Sequence, residues 1–192
     1  MSSPISPEVM AATRRLLDHG GRDDLSLSAI AAEAGVSRVT LHRHGIDVTQ
    51  VVVALVQAAS DDLRQHLWPT LTSPGTAAER LAEGVRVLCD VVERHGAVLS
   101  AVYHSPVQPH PSVEGRTLTF DFAEPFERVL LDGGHDGTTR SQAPDRDAEF
   151  LVSAVTWTYL HMRRSHGWSV TDAAEACLEL CRLYLPPLQA AE

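Results

Sequence analysis

Neither lysine nor asparagine occurs in this chain of 192 residues, so all 16 of its Lys/Arg cations are arginines. Both missing residues use A/T-rich codons, which points to a GC-rich bacterial genome. Three cysteines, an odd number without framework spacing, exclude a disulfide scaffold and suit a reducing compartment. Cys177 and Cys181 stand four apart, on one face of a helix, while Cys89 is distant in sequence. Buried free thiols are the simplest expectation for them. No apolar run approaches the ~20 residues needed to cross a bilayer. Residues 1–7 lack the basic start and apolar stretch of a secretion signal, so the cytoplasm is the expected location. No GxSxG elbow, HExxH pair or glycine-rich phosphate loop is present, so an enzyme is not expected and no catalytic residue or cofactor is assigned.

Charge is unevenly distributed. The formal net charge of −9 excludes a protein that coats nucleic acid indiscriminately. Residues 1–50, however, hold five arginines and six acids, a net of −1, which leaves −8 for the remainder. Between Ala34 and Ile46 there is no acid, but there are Arg38, His42, Arg43 and His44. Local sign matters more than the total, because screening leaves phosphate sensitive mainly to charges within about 8 Å. Ten histidines raise the question of a metal. His42 and His44 point to different sides of a helix, prolines separate His104 from His110, and Cys177 and Cys181 lack a second pair at matching spacing. No metal site is assigned.

Apolar periodicity is helical almost throughout, with no strand alternation and no internal repeat, so an all-α fold is expected. A first helix spans about 7–18 and ends at Gly20-Gly21. Leu27, Ile30, Ala31 and Ala34 recur at i, i+3, i+4 and i+7, with Ser26 as N-cap; Gly35 ends that helix and Ser37 caps the next. Asp47 caps a longer helix over 48–68, which Pro69 is expected to break, with a turn-rich linker at 70–75. The following helix ends at Gly96, before a short one near 98–103. A proline loop, a helix over 118–131 that Pro125 begins or kinks, a flexible surface segment over 133–144, and helices over 145–164 and 171–185 complete the pattern.

Residues 27–46 carry the chemistry. A helix-turn-helix crosses two short helices at a steep angle, which requires a small residue at the contact (Ala31) and a residue tolerant of left-handed backbone at the turn (Gly35). Ile30, Ala34, Val36 and Leu41 lock the unit. The second helix then exposes Arg38, Val39, Thr40, His42, Arg43 and His44. Arginine can grip guanine O6 and N7 or a phosphate, valine and the threonine methyl suit the thymine methyl, and histidine can donate to base edges. Ser26, Ser28 and Ser37 with the amides beside them could hold phosphates and fix the register. An amphipathic pair that merely packs is the plainer alternative, and it leaves the basic face unexplained.

The stretch SLSAIAAEAGVSRVTLHRHGIDVTQVVVALV resembles the TetR family of bacterial transcriptional regulators, whose pattern runs from a Thr/Ser cap through IAxxAGVSxxTLYxHF into the next helix. It covers 31 of the 192 residues. His42 stands where that family usually has tyrosine, Gly45 replaces the usual phenylalanine plug, and Val48 takes the place of a common phosphate-contacting lysine. The resemblance implies a DNA-binding head over residues 1–47 and a helical body over 48–192, with 48–68 as connecting helix. It also implies a homodimer that grips a palindromic operator, as a repressor released by a small-molecule effector. The DNA contacts it implies are Ser26, Ser28, Ser37, Arg38, Val39, Thr40, His42, Arg43 and His44.

For the effector, hydrophobic or aromatic in character, the candidate pocket residues are Leu88, Val92, Tyr103, Phe122, Phe126, Trp157 and His161; His66, His104 and Cys89 could line the same space. The penultimate helix has two apolar stripes, one of Ala148, Leu151, Val152, Val155, Tyr159 and Met162, the other of Phe150, Ala154, Trp157 and His161. Such a helix packs against two things. Candidate dimer-interface residues are Val155, Tyr159, Met162, Ala174, Cys177, Leu178 and Cys181, although core packing alone accounts for either stripe. The alternative for the whole chain is a ligand- or partner-binding helical module with a degenerate head.

Overall fold

The computed structural model describes residues 5–21, 24–103, 112–113, 116–117 and 122–184. Its helices are α1 (Pro7–Gly20), α2 (Leu27–Glu33), α3 (Arg38–Arg43), α4 (Val48–Thr72), α5 (Ala77–Tyr103), α6 (Glu124–Asp136), α7 (Pro144–Ser165) and α8 (Val170–Tyr184). Between α5 and α6 the only ladder among the described residues is a pair of two-residue strands, β1 (Ser112–Val113) and β2 (Arg116–Thr117), antiparallel with Ser112 opposite Thr117. No helix is long and apolar enough to cross a membrane among the described residues.

Helices continue through residues that sequence alone marks as breaks. Pro69 lies inside α4, which runs on to Thr72. Proline removes an N–H and crowds the preceding turn. The end of the helix beyond it is closed by the Thr72 hydroxyl, which donates to the Trp68 carbonyl (3.1 Å), and by Arg80 Nη1, which donates to the Leu71 carbonyl (3.1 Å). The linker is correspondingly shorter than 70–75. Gly96 does not end α5 either; a helical glycine costs about 1 kcal/mol relative to alanine, and the buried Ala97, Val98, Leu99 and Ala101 beyond it offset that.

The segment after α6 is tied down rather than loose. Gly133 stays helical and buried, and the Thr139 side chain packs so closely that a Cβ on Gly133 would collide with Thr139 Oγ1. Asp136 Oδ2 accepts the Ala77 N–H (2.7 Å) and Thr138 Oγ1 accepts the Ala78 N–H (3.2 Å), so this segment caps α5. Pro125 occupies the first turn of α6, the position where a missing N–H costs nothing.

Contacts divide the chain into two compact units, 1–59 with 95–120 and 60–94 with 121–192, so α4 and α5 each contribute to both. The first unit's core joins Val9, Leu17, Ile30, Ala31, Leu41, Ile46, Val51, Val52, Leu55 and Val56 with Ala97, Val98 and Ala101. In the second, Leu67, Val85, Phe126, Leu130, Leu151, Val155 and Tyr159 are buried. There the three cysteines, all free and buried, meet despite their distance in sequence. A hydrogen bond between Cys89 and Cys177, then burial, raises the Cys89 thiol, and burial pushes Cys181 up to about 12. Cys89 and Cys181, held protonated in this way, are structural rather than reactive, whereas the hydrogen bond with Cys89 lowers the Cys177 thiol.

Candidate nucleic-acid interface

Two short helices of the first unit are each opened by a serine and closed by a glycine. Ser26 Oγ accepts the Ala29 N–H (3.1 Å) and Ser37 Oγ accepts the Thr40 N–H (3.0 Å), as N-caps do. At the end of α2, Gly35 takes a left-handed φ of 68° and the Val36 N–H returns to the Ala31 carbonyl (2.9 Å). The same closure recurs after α3: Gly45 has φ 68°, and the Ile46 N–H returns to the Leu41 carbonyl (3.0 Å). Gly45 is therefore a helix terminator, and Ile46, 7% exposed, fills the core behind it. Asp47 and Gln50 then form a reciprocal capping box that starts α4, with the Gln50 N–H donating to Asp47 Oδ1 (2.7 Å) and the Asp47 N–H to Gln50 Oε1 (3.1 Å). Val48, half-buried, packs against the same core.

Only Leu41 of α3 is buried. Arg38, Val39, His42 and Arg43 are exposed, as are Ser26, Ser28, Ser37 and His44, while Thr40 is half-buried with its hydroxyl against Ser37 Oγ (2.8 Å). Val39 is 74% exposed, an unusual placement for a β-branched apolar side chain. Among the described residues neither the Arg38 nor the Arg43 guanidinium has an ion-pair partner, whereas Arg15 reaches Glu33 at 2.6 Å and Arg64 reaches Asp61 at 3.2 Å. The α3 surface thus offers free cations, an apolar tip and no acid.

Residues 9–44 match the family model described as bacterial regulatory proteins, tetR family. The match to that family lies in the segment that carries the two short helices. Over 100 residues it is 32% identical to an uncharacterized HTH-type transcriptional regulator of Mycobacterium tuberculosis, a stretch that covers 52% of this chain and 47% of that one. The chain thus spans about half the length of the curated relatives it matches. Its fold is shared with solved structures: the TetR family transcriptional regulator PfmR from Thermus thermophilus (TM-score 0.73, 16% identity, all of both chains) and the ketosteroid transcriptional regulator KstR2 of M. tuberculosis (TM-score 0.68, 18% identity, 95% of this chain and 94% of that one).

In the second unit, Leu88, Val92 and Phe126 are buried in the core, Phe122 and Trp157 are half-buried, and His161 is exposed; the Tyr103 side chain and His104 lie outside the described residues. Open space is found between two helices. A groove of about 750 Å3 between α4 and α6 is lined by Arg64, Leu67, Trp68, Leu71, Thr72, Glu124, Pro125, Glu127, Arg128, Leu131 and Asp132. Trp68 is 67% exposed and Leu131 40%. Beneath them Arg80 bridges the two walls, holding the Leu71 carbonyl and Asp132 Oδ2 (3.0 Å). Reading Pro69 as a helix end hides this groove, although Leu63, Leu67 and Leu71 continue one stripe past it.

On α7, the stripe containing Leu151, Val155 and Tyr159 is turned inward, and the stripe of Phe150, Ala154, Trp157 and His161 is turned outward. Of the residues expected at a subunit interface, Val155, Tyr159, Cys177, Leu178 and Cys181 are buried within the protomer, and Met162 and Ala174 are half-buried. Glu93 fixes the inner stripe: it accepts hydrogen bonds from Tyr159 (3.0 Å) and from Arg163 Nη2 (2.6 Å). Arg163 holds the Glu93 carboxyl below the usual range.

Proposed function

We propose that this chain is a transcriptional repressor in the bacterial cytoplasm that binds a palindromic operator as a homodimer and lets go when a small molecule occupies its body. The observation that carries the reading is the α3 surface, where one leucine anchors the helix and Arg38, Val39, His42 and Arg43 are left exposed for a partner. Arg38 and Arg43 serve as donors to guanine or phosphate, Val39 and Thr40 meet thymine methyls, and His42, His44, Ser26, Ser28 and Ser37 complete the contacts. Two such helices read half-sites about 34 Å apart, or a multiple of that, which requires a dimer. The outward stripe of α7, with Phe150 at 54% exposure and Leu180 of α8 at 36%, supplies an apolar surface for it. Most of the residues first expected there are already occupied inside the protomer.

The effector seat favoured by the geometry is the α4–α6 groove rather than the Leu88, Val92 and Phe126 core. Trp68, Leu71 and Leu131 would take an aromatic or aliphatic body, and Arg64 and Arg128 a polar end. A molecule wedged there presses on the Arg80 tie between Leu71 and Asp132, and so on the end of α4, the helix that begins just after α3. Complete switching requires the ligand to prefer the released state by about 5.5 kcal/mol.

Fluorescence anisotropy with DNA from upstream of the chain's own gene tests the DNA reading. Wild-type protein binds a palindrome within it, and Arg43→Ala weakens that binding by about 5- to 150-fold, the equivalent of one lost base contact. Absence of any binding at low salt, from protein stripped of bound compounds, overturns it.

A further inference from the structure

We propose that His161 and His166 form half of a site for a divalent transition-metal ion such as zinc, completed by the same pair from a second copy of this chain. Their Nε2 atoms lie 3.1 Å apart, with the rings edge to face at a centroid distance of 4.8 Å. Two imidazoles bound to one tetrahedral zinc at about 2.0–2.1 Å place their nitrogens about 3.3 Å apart, so the pair needs almost no movement to chelate. In the metal-free state one ring donates an N–H to the other's lone pair; a metal replaces that shared proton and takes both lone pairs.

The pair is also held in place. His166 follows the last turn of α7, and Gly167, at φ 66°, turns the chain back so that the Trp168 N–H reaches the Met162 carbonyl (3.1 Å). Arg163 clamps this turn, donating Nη1 to the Trp168 carbonyl while its Nε reaches Glu93 at 2.9 Å. A side chain fixed by its supports loses less freedom on binding a metal.

Both imidazoles are exposed, and no third histidine, cysteine, aspartate or glutamate joins them among the described residues. Half a tetrahedral set therefore faces outward at the end of the Phe150–Ala154–Trp157–His161 stripe, the surface assigned above to the partner subunit. The metal site rests on that assignment.

The test is zinc titration of the full-length chain by calorimetry, with sedimentation velocity in zinc and in chelator. One zinc per two chains is expected, with tighter self-association in zinc. His161→Ala and His166→Ala each lose at least about tenfold in zinc affinity, and His135→Ala, an exposed histidine of α6, loses none. Unchanged affinity in the first two variants, or one zinc per chain without effect on association, overturns the proposal. A dimer in chelator without histidine-dependent zinc binding overturns the metal site alone. A monomer under both conditions overturns the interface assignment with it.

Discussion

Gly45→Phe installs the phenylalanine of the TetR pattern that the sequence resembles, and here it is expected to destabilise. Gly45 sits at φ 68°, where an L-residue costs about 1–2 kcal/mol. A Cβ added there meets nothing within 4 Å, so strain is the whole cost and no clash is added. Phenylalanine could offset this only by burying its ring, worth about 1.5–3 kcal/mol. Ile46 already occupies the core at that junction at 7% exposure, so the ring gains no burial. Gly45→Ala and Gly45→Phe should therefore lose the same ~1–2 kcal/mol, and Gly45→Asn less, because asparagine tolerates the left-handed region. Far-UV circular dichroism during urea unfolding is the suitable readout. Trp68, Trp157 and Trp168 all lie in the second unit, so tryptophan fluorescence would not report on this turn. If Gly45→Phe proves more stable than Gly45→Ala by 1 kcal/mol or more (on the scale of the burial term), the plug site is open and the role given to Ile46 is wrong.

Other substitutions bear on the same framework. Leu41→Ala removes the sole buried side chain of α3 and should cost about 2–5 kcal/mol, with loss of DNA binding in a gel shift while the second unit's tryptophan emission is retained. The adjacent glycines of α6 should respond with opposite signs in urea melts. Gly133→Ala drives a methyl into Thr139 and costs about 1–3 kcal/mol, whereas Gly134→Ala enters open space and gains up to about 1 kcal/mol. Glu93 is held below the usual carboxylate range by Arg163, so its contribution to stability is present above the unfolded value of about 4.3 and is lost as pH falls through the lower folded one. Glu93→Gln should narrow the gap between the urea midpoints at pH 7 and pH 4; an unaltered gap would show that the pair contributes nothing.

What could be read from the chain before its fold was what local chemistry decides. Ser26, Ser37 and Asp47 act three residues ahead, and Gly35 answers a backbone requirement, so their roles are written in short segments. Pro69, Gly96 and Gly133 do not break their helices as their residue types suggest, because residues beyond the local pattern act on them: Arg80 closes the end of α4, the core takes up the residues after Gly96, and Thr139 fills the space that a side chain at 133 would need. The two stripes of α7 are both visible in the sequence. Which one turns inward depends on Glu93, 66 residues away from the tyrosine it holds, and amphipathicity cannot decide between two apolar faces. The α4–α6 groove was hidden for the same reason, since its walls belong to separate stretches of chain.

One consequence follows from the single anchor of α3. Because Leu41 is the one fully buried anchor of that helix, its exposed positions can change identity without disturbing the scaffold, and under the proposed function each such change would alter which base pairs are preferred. Duplicated copies of such a gene could acquire new target sites by a few point mutations, keeping the same sensor while drifting to a different promoter.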